Sequence, residues 1–299
     1  MNEPQVVVVG SLNMDLVARA PRLPAAGETL SGRTFSTVPG GKGANQAVAA
    51  ARLGARTAMV GCVGDDAFGR ELRAVLEGDG VDCQGVRAVP GPSGVALIVV
   101  DDGGRNGIVV VPGANGLLSP EDVERQRQVL AAARVVALQL ETPLETVARA
   151  ARLARDLGRL VVLNPAPAQP LPASLLACAD FLVPNEVEAA ALTGLLVDSV
   201  EGAAAAAERL RAQGAGTVLV TLGERGVVAA TPSGTRHFPA RAVRAVDTTA
   251  AGDTFIGGFC AALVEGRSPP EAVDFAQAAA AISVTRPGAQ PSIPYRREI

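Results

Sequence analysis

Six short apolar runs punctuate the chain: QVVVVG (5–10), TAMVGCVG (57–64), ARVVALQL (133–140), LVVLNP (160–165), DFLVP (180–184) and TVLVTLG (217–223). They are near-continuous rather than alternating, the pattern of strands covered on both faces of a parallel sheet. Between them lie segments with helical spacing: GANQAVAAARLGA (43–55), AFGRELRAVLEGDG (67–80), SPEDVERQRQVLAAA (119–133), PLETVARAARLARDLG (143–158) and EGAAAAAERLRAQG (201–214). Ser119, with Pro120 next and Asp122 three residues on, resembles a capping box with proline in the first turn. Strands alternating with helices predict βαβ crossovers and a doubly wound, mostly parallel α/β sheet.

Two segments break the rhythm. Residues 13–38 carry polar-alternating stretches, DLVARAPRL and ETLSGRTFSTV, with turn signals between them. Residues 93–112 read as a hairpin, two apolar strands flanking DDGGRNG. Neither supplies a crossover helix. They are expected to join as a small β-sheet inserted in one domain spanning 1–299, forming a lid over its edge. The apolar face of that lid has to be covered by substrate, by the main sheet or by a second subunit.

Composition narrows the chemistry. Hydrophobic residues make up 48% of the 299 and charged residues 19%, which fits a well-buried core. The net charge of −3 comes without a basic cluster, so nucleic acid is not an expected partner. The amino terminus has no signal-peptide pattern, and no window approaches eighteen apolar residues, so a cytoplasmic protein without a membrane span is expected. Cys62, Cys83, Cys178 and Cys260 are far apart and form no CxxC pair, as for reduced thiols. There is one histidine, His237, in what reads as a hairpin, and one lysine, Lys42, against 26 arginines. Arginine is too basic to exchange protons, so acid–base work falls on carboxylates.

Several short motifs could carry that work. In PGGKGANQAVAAARLGA (39–55) glycines and the sole lysine precede a helix start, where free N–H groups and close backbone approach suit a ligand. It is not a Walker loop, and GSLNMD after the first strand lacks the dinucleotide fingerprint. Asn13 and Asp15 follow that strand and Glu141 follows another, the place where open α/β sheets bind ligands. Each of these could equally be turn or capping chemistry, as could the pair Asn185 and Glu188 in NEVE. TLGERG (221–226) offers a glycine turn. Finally, DTTAAGDTF (247–255) places two aspartates around the small residues that open the apolar helix FIGGFCAALV. One aspartate is explained as a cap, but not both. Polar strand ends, two glycine loops at helix starts and a late GDTF together describe a phosphate-transfer cleft.

Taken in order, NMD, GGKGAN, NEVE, TLGERG, DTTAAGDTF and TRPGAQPS resemble the ribokinase-like, phosphofructokinase-B-type family of carbohydrate kinases over about residues 5–295. The family commonly has glycine where this chain has Ala250, and Pro287 stands in the TRPGAQPS loop. The resemblance implies a Rossmann-like α/β domain with a β-sheet lid, often shared between two subunits of a homodimer. It implies ATP-dependent phosphorylation of a sugar's primary hydroxyl, O5 of D-ribose, with Asp253 as base and an anion hole from the N–H groups of Ala251, Gly252 and Asp253. Asn13, Asp15, Gly41, Lys42, Asn45, Glu141 and Asp253 would bind the sugar. Asn185, Thr221, Gly223, Gly226 and Gly252 would lie along ATP, with Gln277 near the adenine. Glu188 would order water around Mg²⁺, while Asp247, Thr249, Ser283, Arg286, Gly288 and Ser292 match a K⁺ site. The alternatives are a related kinase for deoxyribose, a ketohexose or a nucleoside, and a silent sugar sensor.

Overall fold

The computed structural model describes residues 3–299. In chain order the strands are β1 (Val6–Val9), β2 (Asn13–Arg19), β3 (Thr34–Gly40), β4 (Thr57–Gly64), β5 (Asp82–Val89), β6 (Gly94–Val100), β7 (Asn106–Val111), β8 (Val135–Leu138), β9 (Leu160–Leu163), β10 (Phe181–Leu182), β11 (Thr217–Thr221), β12 (Val227–Thr231) and β13 (Gly234–Phe238). The helices are α1 (Lys42–Arg52), α2 (Ala67–Gly78), α3 (Pro120–Arg125), α4 (Arg127–Ala132), α5 (Leu144–Asp156), α6 (Ala173–Leu176), α7 (Glu186–Thr193), α8 (Val200–Ala212), α9 (Ala251–Val264) and α10 (Pro269–Ser283).

Nine strands form one sheet in the order β13-β12-β11-β10-β9-β8-β1-β4-β5. From β5 to β11 every pairing is parallel, and β12 and β13 close the far edge as an antiparallel hairpin. His237 lies on that hairpin, opposite Val228. The run of valines in β1 is explained by its neighbours. Val6 and Val8 belong to the buried cluster that includes Val48 of α1 and Phe259 of α9, while Val7 and Val9 belong to the cluster on the other face, with Val147 of α5 and Leu210 of α8. A strand buried on both faces has no polar side to display.

Three details depart from the sequence reading. The segment 119–133 is not one helix but α3 and α4, which meet at Gln126. The expected capping box of Ser119 and Asp122 is present. DFLVP contributes only the two residues of β10, and β5 was not anticipated because DCQGVRAV mixes polar and apolar positions at the sheet edge.

Four strands form a separate small sheet in the order β3-β2-β6-β7, joining the two segments that lack crossover helices. Its central pair is parallel, β2 with β6, and its outer pairs are antiparallel. The period-two alternation sorts its side chains. Asp15, Ala96 and Val110 stand in register, as do Ile98 and Ile108, and all five line a cavity between the sheets. On the opposite face Val109 is 61% exposed and Phe35 67%.

Candidate active site

The site assembles where chain segments leave the carboxyl ends of β1 and β8 and enter α1 and α9. The β1–β2 turn and the start of α1 approach so closely that only glycine fits. A Cβ on Gly41 would lie 2.6 Å from the backbone nitrogen of Asn13, and one on Gly43 would lie 2.6 Å from that of Ser11. Gly41 also takes φ +89°, in the left-handed region. Glu141 locks this junction from the β8 side. Its Oε2 accepts the Ser11 hydroxyl at 2.6 Å and the Lys42 backbone N–H at 3.0 Å, so it serves a free donor of the α1 start. Asn13 is buried, and its Oδ1 accepts Asn115 Nδ2 at 2.7 Å.

Asp253, in the first turn of α9, is buried and held by two amides from α1. Asn45 Nδ2 donates to its Oδ2 and Gln46 Nε2 to its Oδ1, both at 3.0 Å. This meeting depends on how tightly α9 lies on α1. A Cβ on Gly257 would collide with the Ala49 methyl and lie 2.7 Å from the Gln46 carbonyl oxygen. Glycine at 257 therefore removes the spacer that would hold the helices apart.

Two adjoining cavities meet at this aspartate. The larger, about 760 Å³, is roofed by the small sheet and walled by Asn13, Asp15, Gly41, Asn45 and Glu141. The smaller, about 200 Å³, is walled by Asn185, Glu188, Thr221, Ala251 and Gly252. Lys42, Ala250 and Asp253 belong to both. Ala250 is the one non-glycine residue with positive φ (59°) among those described, and it starts α9 without a side-chain cap. In consequence the N–H groups of Gly252 and Asp253 have no partner among the described residues, and Gly252 is exposed. The Ala251 N–H donates to the Thr248 carbonyl at 3.2 Å, so two of the three expected donors are free.

Carboxylates crowd around a single cation. Burial raises the pKa of Asp15 to about 7, with Glu141 and Asp253 adding to the effect. Burial also raises Asp253, against the pull of Lys42 and the two amides. For Lys42 burial works to lower the pKa, but Asp253, Glu141 and Glu188 outweigh it and the ammonium is held above its ordinary value. The lysine is therefore a firmly protonated charge beside the aspartate.

The chain matches the pfkB carbohydrate kinase family over residues 3–296. It is 45% identical to a ribokinase of Haemophilus influenzae, over 98% of this chain and 96% of that protein. The chain belongs to the pfkB family of carbohydrate kinases. Among relatives of this family it is also 42% identical to a deoxyribokinase of Salmonella typhi, over 97% of this chain and 95% of that one. Its fold superposes on the Arabidopsis thaliana ribokinase complexed with ribose and ATP with a TM-score of 0.91, at 37% identity, covering 99% and 97% of the two chains.

The remaining residues expected of a pfkB kinase fall into three groups. Asn185 and Glu188 form the capping box that the sequence left open: Glu188 accepts from the Asn185 backbone N–H at 2.8 Å while lining the smaller cavity. Asp247 ties two loops together. It accepts from the Thr249 N–H at 2.9 Å and hydroxyl at 2.6 Å, and from the Gly288 N–H at 2.9 Å, bringing the TRPGAQPS loop to the start of α9. Ser283, at the end of α10, and Ser292, the last residue of that loop, are buried, each donating to a nearby carbonyl, and Arg286 pairs with Glu298. Gly223, Gly226 and Gln277 line neither cavity; Gln277 is half-buried on α10. Asn115 and Gln46 were missed. Asn115 lies in a short 3-10 helix, Gly113–Leu117, without a recognisable motif, and Gln46 follows Asn45 inside a helical pattern that reads as core.

Proposed function

We propose that this pfkB kinase is an ATP-dependent ribokinase, transferring the γ-phosphoryl group of ATP to O5 of D-ribose. The observation that carries the reading is Asp253, a buried carboxylate shared by two cavities, the larger roofed by apolar lid residues and walled by polar side chains, the smaller at a helix start with free N–H groups. Ribose occupies the larger cavity. Asn13, Asp15, Gly41, Lys42, Asn45 and Glu141 bind its hydroxyls; the Asn45 Oδ1, buried without a partner, is an acceptor awaiting a donor. Ala96, Ile98, Ile108 and Val110 of the lid sheet cover the sugar and exclude water. ATP lies along Asn185, Thr221, Gly223 and Gly226 with Gln277 toward the adenine, its terminal phosphate at α9.

As O5 attacks the γ-phosphorus, its proton passes to the Asp253 carboxylate and the bond to the bridging oxygen of ADP breaks. A carboxylate whose pKa is raised accepts that proton more readily. The N–H groups of Gly252 and Asp253 receive charge on the transferring group, and Lys42 neutralises charge on the sugar side. Glu188, both oxygens of which accept from Asn185, lines the nucleotide cavity and would order water around a Mg²⁺ bound through the phosphates. That ion supplies charge neutralisation at the phosphates. Asp247, Thr249 and Gly288 meet at the start of α9 and bring carboxylate, hydroxyl and carbonyl oxygens together, a hard-donor set that fits K⁺. The exposed face of the lid, with Phe35, Leu97 and Val109, suits a homodimer.

Coupled ADP release across a panel of pentoses and hexoses tests the assignment. D-ribose is expected to give the highest kcat/KM. Preference for deoxyribose, which the deoxyribokinase relative makes the second reading, or for a ketohexose would replace the substrate. Sugar-independent or absent turnover would overturn the kinase reading.

A further inference from the structure

Behind Asp253 runs a chain of amides, and two of its members, Gln46 and Gln139, line neither cavity. Gln46 and Gln139 are both fully buried. Gln139, which follows β8, donates from Nε2 to Gln46 Oε1 at 2.6 Å. Gln46 in turn donates from Nε2 to Asp253 Oδ1 at 3.0 Å and to Asn164 Oδ1 at 3.3 Å. Asn164 is oriented from its far side, donating to the Val183 carbonyl at 2.9 Å. Both Gln46 N–H groups thereby face acceptors and its oxygen faces the Gln139 donor, while Gln139 Oε1 is buried without a partner.

We infer that Gln139 and Gln46 are positioning residues for the catalytic carboxylate, a two-amide relay that holds Gln46 with its N–H toward Asp253. The opposite orientation would set the Gln46 oxygen against the Asp253 carboxylate and its NH₂ against the Gln139 donor. Both contacts are repulsive in a site without water to relieve them. The relay fixes the Oδ1 side of the carboxylate from behind. Oδ2, next to Asn45 on the wall of the sugar cavity, is then the oxygen presented to the reacting hydroxyl. Space for the relay is reserved by Gly10 at the end of β1, since a Cβ there would overlap Gln139 Oε1.

This inference rests on Asp253 being the base, and the test separates the two. Gln46→Met and Gln139→Met keep side-chain length and remove the amides; the two variants, their double and Asp253→Asn are compared by pH–rate profile and melting. An N–H bonded to a carboxylate favours its charged form, so losing it raises the base's pKa. For Gln46→Met the acid limb of the kcat profile is expected to move upward by about one to two pH units, with kcat at neutral pH down about ten-fold or more and sugar KM within about two-fold. Gln139→Met, which only frees Gln46, should shift the limb in the same direction by less. In the double variant it should add nothing to Gln46→Met, the non-additivity of residues acting in series. Additive effects, or an unmoved limb with only a lower melting temperature, would overturn the relay while an inactive Asp253→Asn left the base assigned. An active Asp253→Asn would overturn both. If Gln46→Met does not fold, the limb of Gln139→Met decides alone.

Discussion

Asn45 donates one amide N–H to Asp253 at 3.0 Å and keeps its own Oδ1 buried without a partner. That free oxygen lets the site absorb a change at Asp253. In Asp253→Asn the new NH₂ can be met by turning the Asn45 amide, and a buried charge is removed. The melting temperature is therefore expected to stay level or rise. Turnover should fall by about 10²–10⁴-fold, the range of general-base catalysis. Turnover within about three-fold of wild type would remove Asp253 from the chemistry.

Lys42 is the counter-charge to a cluster of acids, and its loss should be felt as pH dependence. In Lys42→Met, Asp253 and Glu188 lose the charge that pulls their pKa values down. The acid limb of the rate profile should shift upward, and ribose KM should rise by about ten-fold or more, the worth of one charge-assisted hydrogen bond. A large melting loss with unchanged KM would make the lysine structural.

Asp15 gives a stability signature in the sugar-free protein. Its folded pKa, about 7, is above the ordinary value of 3.8. Its contribution is thus fully present below about pH 4 and is lost as pH rises through about 7. Asp15→Asn, always neutral, should melt higher than wild type at pH 8, with the difference vanishing near pH 4. Parallel melting curves over that window would show that Asp15 is not buried as a charge.

Asp247 hooks the TRPGAQPS loop to the start of α9, so an ion there should tune the anion hole. Initial rates with K⁺ replaced by Na⁺ or a bulky organic cation are expected to fall in both cases. Equal rates in all three would dismiss the ion site, with Pro287 beside Gly288 as its first suspect.

Gly257→Ala tests the helix contact that brings Asp253 to α1. The added methyl meets Ala49 and the Gln46 carbonyl, with no flexible side chain to yield. Overpacking of this kind costs about 1–3 kcal/mol. The variant should melt lower and lose kcat more than KM, because Asp253 rides on the displaced helix.

The apolar runs made the central strands legible, since the middle residues of β1, β4, β8, β9 and β11 are buried and apolar, with polar residues only at strand ends. The edge strand β5 was illegible for the converse reason: exposed positions such as Gln84 and Arg87 dilute its pattern. Motifs at a strand end pointed to Asn13 and Asp15, and glycine loops at helix starts, whose spacing is visible, pointed to Lys42 and Asp253. Their supports did not show. Asn115 and Gln139 act through contacts with residues about a hundred positions away, and nothing local in the sequence encodes a partner that distant.

Lys42 faces both cavities and is the only lysine in the chain. The protein therefore owns a single ε-amine, and that amine lines both cavities of the proposed active site. Apart from the amino terminus, any reagent or surface that couples through amines has one place to attach, and attachment there would silence the enzyme. The same scarcity makes the residue a built-in reporter. Labelling of Lys42 itself, resolved from that of the amino terminus and slowed by an ammonium held above its ordinary pKa, follows the site, and protection by sugar or nucleotide reads out occupancy without an engineered tag.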